Sequence, residues 1–204
     1  ELDEDVLAIY EDTRVYAFLS DSVPQIKANQ VHAAGGTGAG IKVCIVDTGI
    51  DDSHSALNPL VGWKDLVNNI STPYDDNNHG THVAGIVASQ DSTYKGVAPG
   101  SSLIGIKVLD STGSGWTSDV IAGIDNCVAM GADIISLSLG GGAYTSSCDS
   151  DPSAQASNNA VDAGVVVFAA TGNDGYINAI SAPACGSKVI AVGAVDKFDG
   201  RTPY

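Results

Sequence analysis

The stretch Lys42-Val43-Cys44-Ile45-Val46-Asp47-Thr48-Gly49 reads as a short apolar β-strand from Lys42 to Val46 that runs into an acid and a turn. Its continuous, mostly β-branched character is that of a strand covered on both sheet faces. Four more runs share it: Leu103 to Val108, Ile134 to Leu139, Val165 to Ala169 and Val189 to Val195. Between them lie amphipathic stretches. From Ser118 to about Met130, Val120, Ile121, Ile124, Cys127 and Val128 recur at helical spacing, and Gly131 supplies a stop. A second helix starts near His79, with Val83, Ile86 and Val87 predicted to face inward, and an alanine-rich third spans Pro152 to Ala163. Strands alternating with helices predict an α/β domain with a parallel sheet. The 204 residues, 44% of them hydrophobic, suffice for one sizeable core.

Composition narrows the partners. A formal charge of -15, with only 9 Lys+Arg, repels phosphate backbones and anionic lipid, so neither nucleic acid nor a membrane is an expected partner. No apolar run approaches the roughly 20 residues needed to cross a bilayer, and no basic-then-apolar signal segment opens the chain. The acidity fits a saline habitat or calcium binding equally well. The four cysteines form no C-x-x-C pair, so zinc is not indicated. Cys44 and Cys127 fall in apolar patterns and read as small, unbonded core residues. Cys148 and Cys185 lie in polar loops, where a disulfide would tie down segments with little core of their own and would place the protein in an oxidising, extracellular setting.

Three segments carry chemistry. Asp47 closes the first strand, His79 opens the helix in Asn78-His79-Gly80-Thr81-His82-Val83-Ala84-Gly85, and Asn173 lies in Ala169-Ala170-Thr171-Gly172-Asn173-Asp174-Gly175. A hydroxyl nucleophile needs a base, and the base needs a carboxylate to fix its tautomer and stabilise the imidazolium. A side-chain amide adds a donor for an oxyanion. Taken singly, Asp47 also fits a strand cap or a phosphoryl-transfer site, His79 a metal ligand beside His82, and Asn173 a turn. Together, and in this order, the three resemble the subtilisin-like serine proteases. Gln25-Ile26-Lys27-Ala28, Gly96-Val97-Ala98-Pro99 and Ile190-Ala191-Val192-Gly193-Ala194-Val195-Asp196 extend the resemblance from about Val23 onward.

The resemblance implies a doubly wound, mostly parallel sheet flanked by helices, with Asp47, His79 and Asn173 as the catalytic acid, base and oxyanion donor. It implies that Gly113-Ser114-Gly115 and Ser138-Leu139-Gly140 grip a polypeptide substrate as an added strand, with residues around Gly172 to Ala184 forming the far wall. The family's Gly-Thr-Ser nucleophile motif does not occur before Tyr204, so the fold is expected to be truncated on its C-terminal side, and the serine to come from a missing C-terminal segment. Residues 1–19 resemble a propeptide tail or N-terminal extension, with residues 20–204 the N-terminal part of the catalytic domain and the propeptide a partner of it. No cofactor is required. The family's usual calcium site is not expected, since Ala56 stands at one ligand position and the loop between Ala88 and Lys95 is short; calcium elsewhere, near Asp75 or Asp76, stays open as a structural ion without an assigned site.

The expected function is therefore a secreted serine endopeptidase of the Asp-His-Ser type, inactive as this chain alone. The alternative is an inactive fragment or pseudoenzyme that binds extended peptides. A nucleotide site at Gly36-Thr37-Gly38-Ala39-Gly40 is disfavoured, because these glycines precede the strand instead of following it.

Overall fold

Side chains alternate across β1, Lys42–Asp47, and so divide the molecule into layers. Val43 and Ile45 point into one core, Cys44 and Val46 into another. The computed structural model describes residues 19–201. The other strands are β2 (Gly62–Asp65), β3 (Ser102–Lys107), β4 (Ile134–Leu137), β5 (Gly141–Tyr144), β6 (Val166–Ala170), β7 (Ile180–Ala182) and β8 (Ile190–Val192). The helices are α1 (Leu19–Gln25), α2 (Ala28–Ala33), α3 (His79–Ala88), α4 (Thr117–Ala129) and α5 (Pro152–Asp162).

Six strands form one parallel sheet in the order β2-β3-β1-β4-β6-β8, and β5 pairs antiparallel with β7 in a small second sheet. On one face, Ala84 and Ala88 of α3 pack on Val43, Ile45 and Leu103. On the other, Val120, Ile124 and Cys127 of α4 and Ala156 and Ala160 of α5 pack on Val46, Ile106, Ile135 and Val167. Helices on both faces of a parallel sheet make the fold doubly wound, in agreement with the sequence expectation. The chain leaves β1 towards the β2 edge and leaves β4 towards the β8 edge, so the switch point lies between β1 and β4. Crevices outside the carboxyl ends of strands at such points are where ligands bind.

Local chemistry explains the ends of the helices. Asp151 accepts hydrogen bonds from the Ser153 and Ala154 amides at 2.9 and 3.2 Å, with Pro152 at the first helical position of α5. Gly131, with φ +72°, lets the chain turn back after α4, and the Ala132 amide donates to the Cys127 carbonyl.

Several expectations need correction. Cys44 and Cys127 are buried as predicted, but they are disulfide-bonded, with Cα atoms 5.8 Å apart. The helical pattern put Cys127 on the inward face of α4, and packing α4 across β1 brings it against Cys44. The Cys148–Cys185 disulfide is present as expected. Ile86 is 38% exposed instead of inward, because α3 meets the sheet through its small residues Ala84 and Ala88. The last predicted strand shortens to β8, whose three residues are all exposed, since β8 is an edge strand. Strands β2, β5 and β7 and helices α1 and α2, all short, were not foreseen. The propeptide reading falls on residues outside the described ones, Leu19 excepted.

Candidate active site

Asp47, at the end of β1, is 1% exposed, and its Oδ1 lies 2.7 Å from His79 Nδ1. The Thr48 amide donates to the same oxygen at 2.7 Å, while Oδ2 is buried with no hydrogen-bond partner among the described residues. Burial raises the Asp47 carboxyl above the ordinary carboxylate range, a push that the His79 and Thr48 hydrogen bonds oppose without cancelling. A carboxylate acceptor at Nδ1 selects the tautomer with its proton there, which leaves Nε2 a lone pair for an incoming proton. The His79 side chain is 49% exposed, so that nitrogen is not sealed in the core.

A hydrogen-bonded cluster fixes this pair. Asp75 accepts from Thr48 Oγ1 at 2.9 Å, from the Asn77 and Asn78 amides at 3.1 and 3.0 Å, and from the Thr81 amide and hydroxyl at 2.9 and 2.6 Å. It thereby caps the start of α3, where a negative charge also meets the helix dipole favourably. Burial opposes ionisation of Asp75, but the Thr81, Asn77 and Thr48 bonds outweigh it and hold the carboxyl below its usual range. The Gly80 amide donates to Thr48 Oγ1 at 2.9 Å, closing the loop between strand and helix. A Cβ at Gly80 would collide with the Gly49 carbonyl, so only glycine lets His79 ride this close to β1.

One cleft of about 760 Å³ gathers the rest. Its lining includes His79 and all the residues named from sequence as substrate rails: Gly113, Ser114 and Gly115 beyond β3, and Ser138, Leu139 and Gly140 beyond β4. Asn173, beyond β6, lines it too, with Gly172, Asp174, Ser181, Ala182 and Pro183 on the far side. Asp47 stands behind His79, outside the lining. The first rail is the far arm of a tight loop in which Leu109 and Gly115 pair antiparallel; the second leads into β5, which pairs with β7. Asn173 is exposed, and among the described residues its side chain has no hydrogen-bond partner.

Sequence reasoning missed three contributors. Trp116, 77% exposed at the edge of the cleft, follows the first rail directly. Asn77 bridges the cleft wall by donating to the Ser111 carbonyl at 3.0 Å. Lys107 is wholly buried beside the acid, and its only sequence signal was a lone cation at the end of an apolar run. Of the two carboxylates named for calcium, Asp75 accepts from Thr48, Asn77, Asn78 and Thr81, and Asp76 lies 2.6 Å from Lys107 Nζ. Among the described residues no group of three His, Cys, Asp or Glu side chains is gathered for a metal, and no helix is long and apolar enough to cross a membrane.

The chain is similar to subtilisin DY of Bacillus licheniformis, 45% identical over 187 residues, which cover 89% of this chain and 66% of the relative. It is similar to subtilisin E of Bacillus subtilis, 39% identical over 215 aligned residues covering 100% and 55%, and to thermitase of Thermoactinomyces vulgaris, 42% identical over 171 residues covering 82% and 59%. The chain thus spans about half to two-thirds of the length of these curated relatives. The subtilase family model matches residues 38–204, from the approach to β1 through the whole cleft, and the chain belongs to that family.

Proposed function

We propose that the complete protein is a secreted serine endopeptidase in which Asp47 orients His79, and His79 serves as base and then acid for a serine supplied by a segment beyond residue 204. The observation that carries this reading is the 2.7 Å bond between a buried carboxylate and a half-exposed imidazole at the mouth of the cleft. In the proposed sequence, the serine hydroxyl attacks the peptide carbonyl carbon while its proton passes to His79 Nε2. Asn173 donates to the oxygen that becomes negative. The tetrahedral intermediate expels the amine, which takes the proton from His79, and water then hydrolyses the acyl-enzyme by the same route. The glycine-rich rails favour an extended polypeptide, held through main-chain hydrogen bonds.

Residues 20–204 would form the N-terminal part of the catalytic domain, with residues 1–19 a propeptide tail or N-terminal extension. Two disulfides favour an oxidising, extracellular setting. The scheme needs no cofactor. A peptide-binding pseudoenzyme is the weaker reading, because a binder gains nothing from a carboxylate held buried and partly unpaired against an imidazole.

Labelling the complete protein with a fluorophosphonate, followed by peptide mapping, tests the assignment. The expected result is one labelled serine outside residues 1–204, lost in His79→Ala. Peptidase activity without labelling, or labelling that His79→Ala leaves intact, would overturn it; tight peptide binding with neither would establish the binder instead.

A further inference from the structure

Lys107 is the largest fully buried side chain among the described residues, 0% exposed, and the scheme above gives it no task. An ammonium taken out of water is costly unless all its donors are met, and an apolar side chain of similar volume would fill the space with less penalty. Here all three are met. Nζ donates to the Thr48 carbonyl at 2.6 Å, to Asp76 Oδ1 at 2.6 Å and to the Leu109 carbonyl at 2.8 Å, beneath the Tyr74 ring whose centroid is 5.2 Å away.

The three acceptors belong to three parts of the site. Thr48 follows the acid Asp47, and Asp47 and Lys107 are direct partners in the β1–β3 register, so both side chains leave the same sheet face. Asp76 lies in the segment that enters α3, three residues before His79. Leu109 opens the loop whose far arm is the first rail, pairing with Gly115. No other described side chain bonds to all three segments. These bonds are charge-assisted, hence short and directional.

We propose that Lys107 is a positioning residue that ties the acid, the approach to the base and the substrate rail into one unit, so that a peptide seated on the rail improves the alignment of Asp47 and His79. This inference rests on the endopeptidase reading. It assigns the buried cation a role in coupling substrate length to turnover, beyond holding the fold.

The test compares the complete wild-type enzyme with Lys107→Met and Asp76→Asn, on a single-residue anilide and on a tetrapeptide anilide that reaches the rail. Misplacement of reacting groups by about 1 Å costs about 10²-fold, and a loss of that order in kcat is expected for Lys107→Met on the long substrate. On the short substrate the loss is smaller, so the advantage of length shrinks. Asp76→Asn removes the charge from the arm towards His79, leaving a weaker neutral acceptor, and lowers kcat on both substrates by a common factor, with KM unchanged. Exchange of the His79 Nδ1 proton, followed by NMR, is expected to quicken in both variants, a readout that needs no serine.

Equal losses on both substrates in Lys107→Met, or wild-type kcat and proton exchange in Asp76→Asn, would overturn the proposal. If Lys107→Met does not fold, Asp76→Asn decides, since Asp76 is a partly exposed side chain. A wild-type protein that fails to react with fluorophosphonate, while both variants show the predicted quickening of exchange, would reject the endopeptidase reading and leave the positioning of the Asp47–His79 pair standing.

Discussion

The cleft has two unlike halves. The acid–base half, from Asp47 to Thr81, is held by side chains: buried Asp47 and Thr48 and partly buried Asp75 and Thr81 bond to one another or to neighbouring amides, and Gly80 packs against the turn after β1. The amide half, around Asn173, is held mainly through its backbone, to which the Thr171 hydroxyl adds a bond to the Val192 carbonyl at 3.3 Å. The Thr171 amide donates to the Val192 carbonyl and the Ser181 amide to the Thr171 carbonyl, at 3.0 and 2.9 Å, while residues 173–178 are all exposed. Stability and chemistry are thus entangled in the first half and separable in the second. Substitutions among residues 47–81 should change both melting and turnover; at Asn173 they should change turnover only.

His79→Ala in the complete enzyme should have the largest effect. In subtilisin, the relative for which the figure is known, loss of this base costs about 2 × 10⁶ in kcat, and a similar collapse is expected in a peptide-hydrolysis assay.

Asp47→Asn comes next. For subtilisin, losing the aspartate alone costs about 3 × 10⁴ in kcat. Stability should move the other way. Because the folded-state pKa of Asp47 lies above its unfolded value, the folded protein holds that proton more tightly, and wild-type stability falls as pH rises through the interval between the two. The amide does not titrate. Melting curves of the two proteins should therefore diverge in favour of Asp47→Asn as pH climbs from the usual carboxylate pKa towards neutrality. A gap that closes with rising pH would show that the buried carboxylate is not strained.

Asn173→Ala should lower kcat by about 10²- to 10³-fold, the range known for the corresponding donor of subtilisin, with the melting temperature unchanged. A drop in melting temperature would break the contrast between the halves. Asp75→Ala should do the reverse in proportion, because it strands partly buried donors at about 1–3 kcal/mol and lowers Tm by about 2–4 °C for each kcal/mol. The folded pKa of Asp75 is depressed, so its contribution is present above the ordinary carboxylate pKa and is lost as pH falls through the folded value. The penalty of Asp75→Ala should accordingly fade in acid.

The two halves also differed in how far the sequence disclosed them. Asp47 and His79 stood out because each sits where a periodic pattern changes, at a strand end and at a helix start, and the parallel strands β1, β3, β4 and β6, though not their order, were readable from their apolar runs. What escaped depends on contacts distant in sequence. Cys44 and Cys127, separated by 83 residues, become bonded only through the packing of α4 on β1. Lys107 looked like one more strand residue until the Thr48, Asp76 and Leu109 oxygens converged on it. Strands of three or four residues such as β5 and β7 carry too few side chains for a period-2 signal, and Ile86 misled because a hydrophobic pattern does not reveal that alanines mediate the close approach.

The central claim is that the chain itself holds a formed carboxylate–imidazole pair. Proton NMR of the His79 ring tests it most directly. The account predicts a far-downfield, exchange-protected Nδ1 proton that vanishes in His79→Ala and moves upfield in Asp47→Asn. A folded protein with no such resonance, or one indifferent to Asp47→Asn, would contradict it.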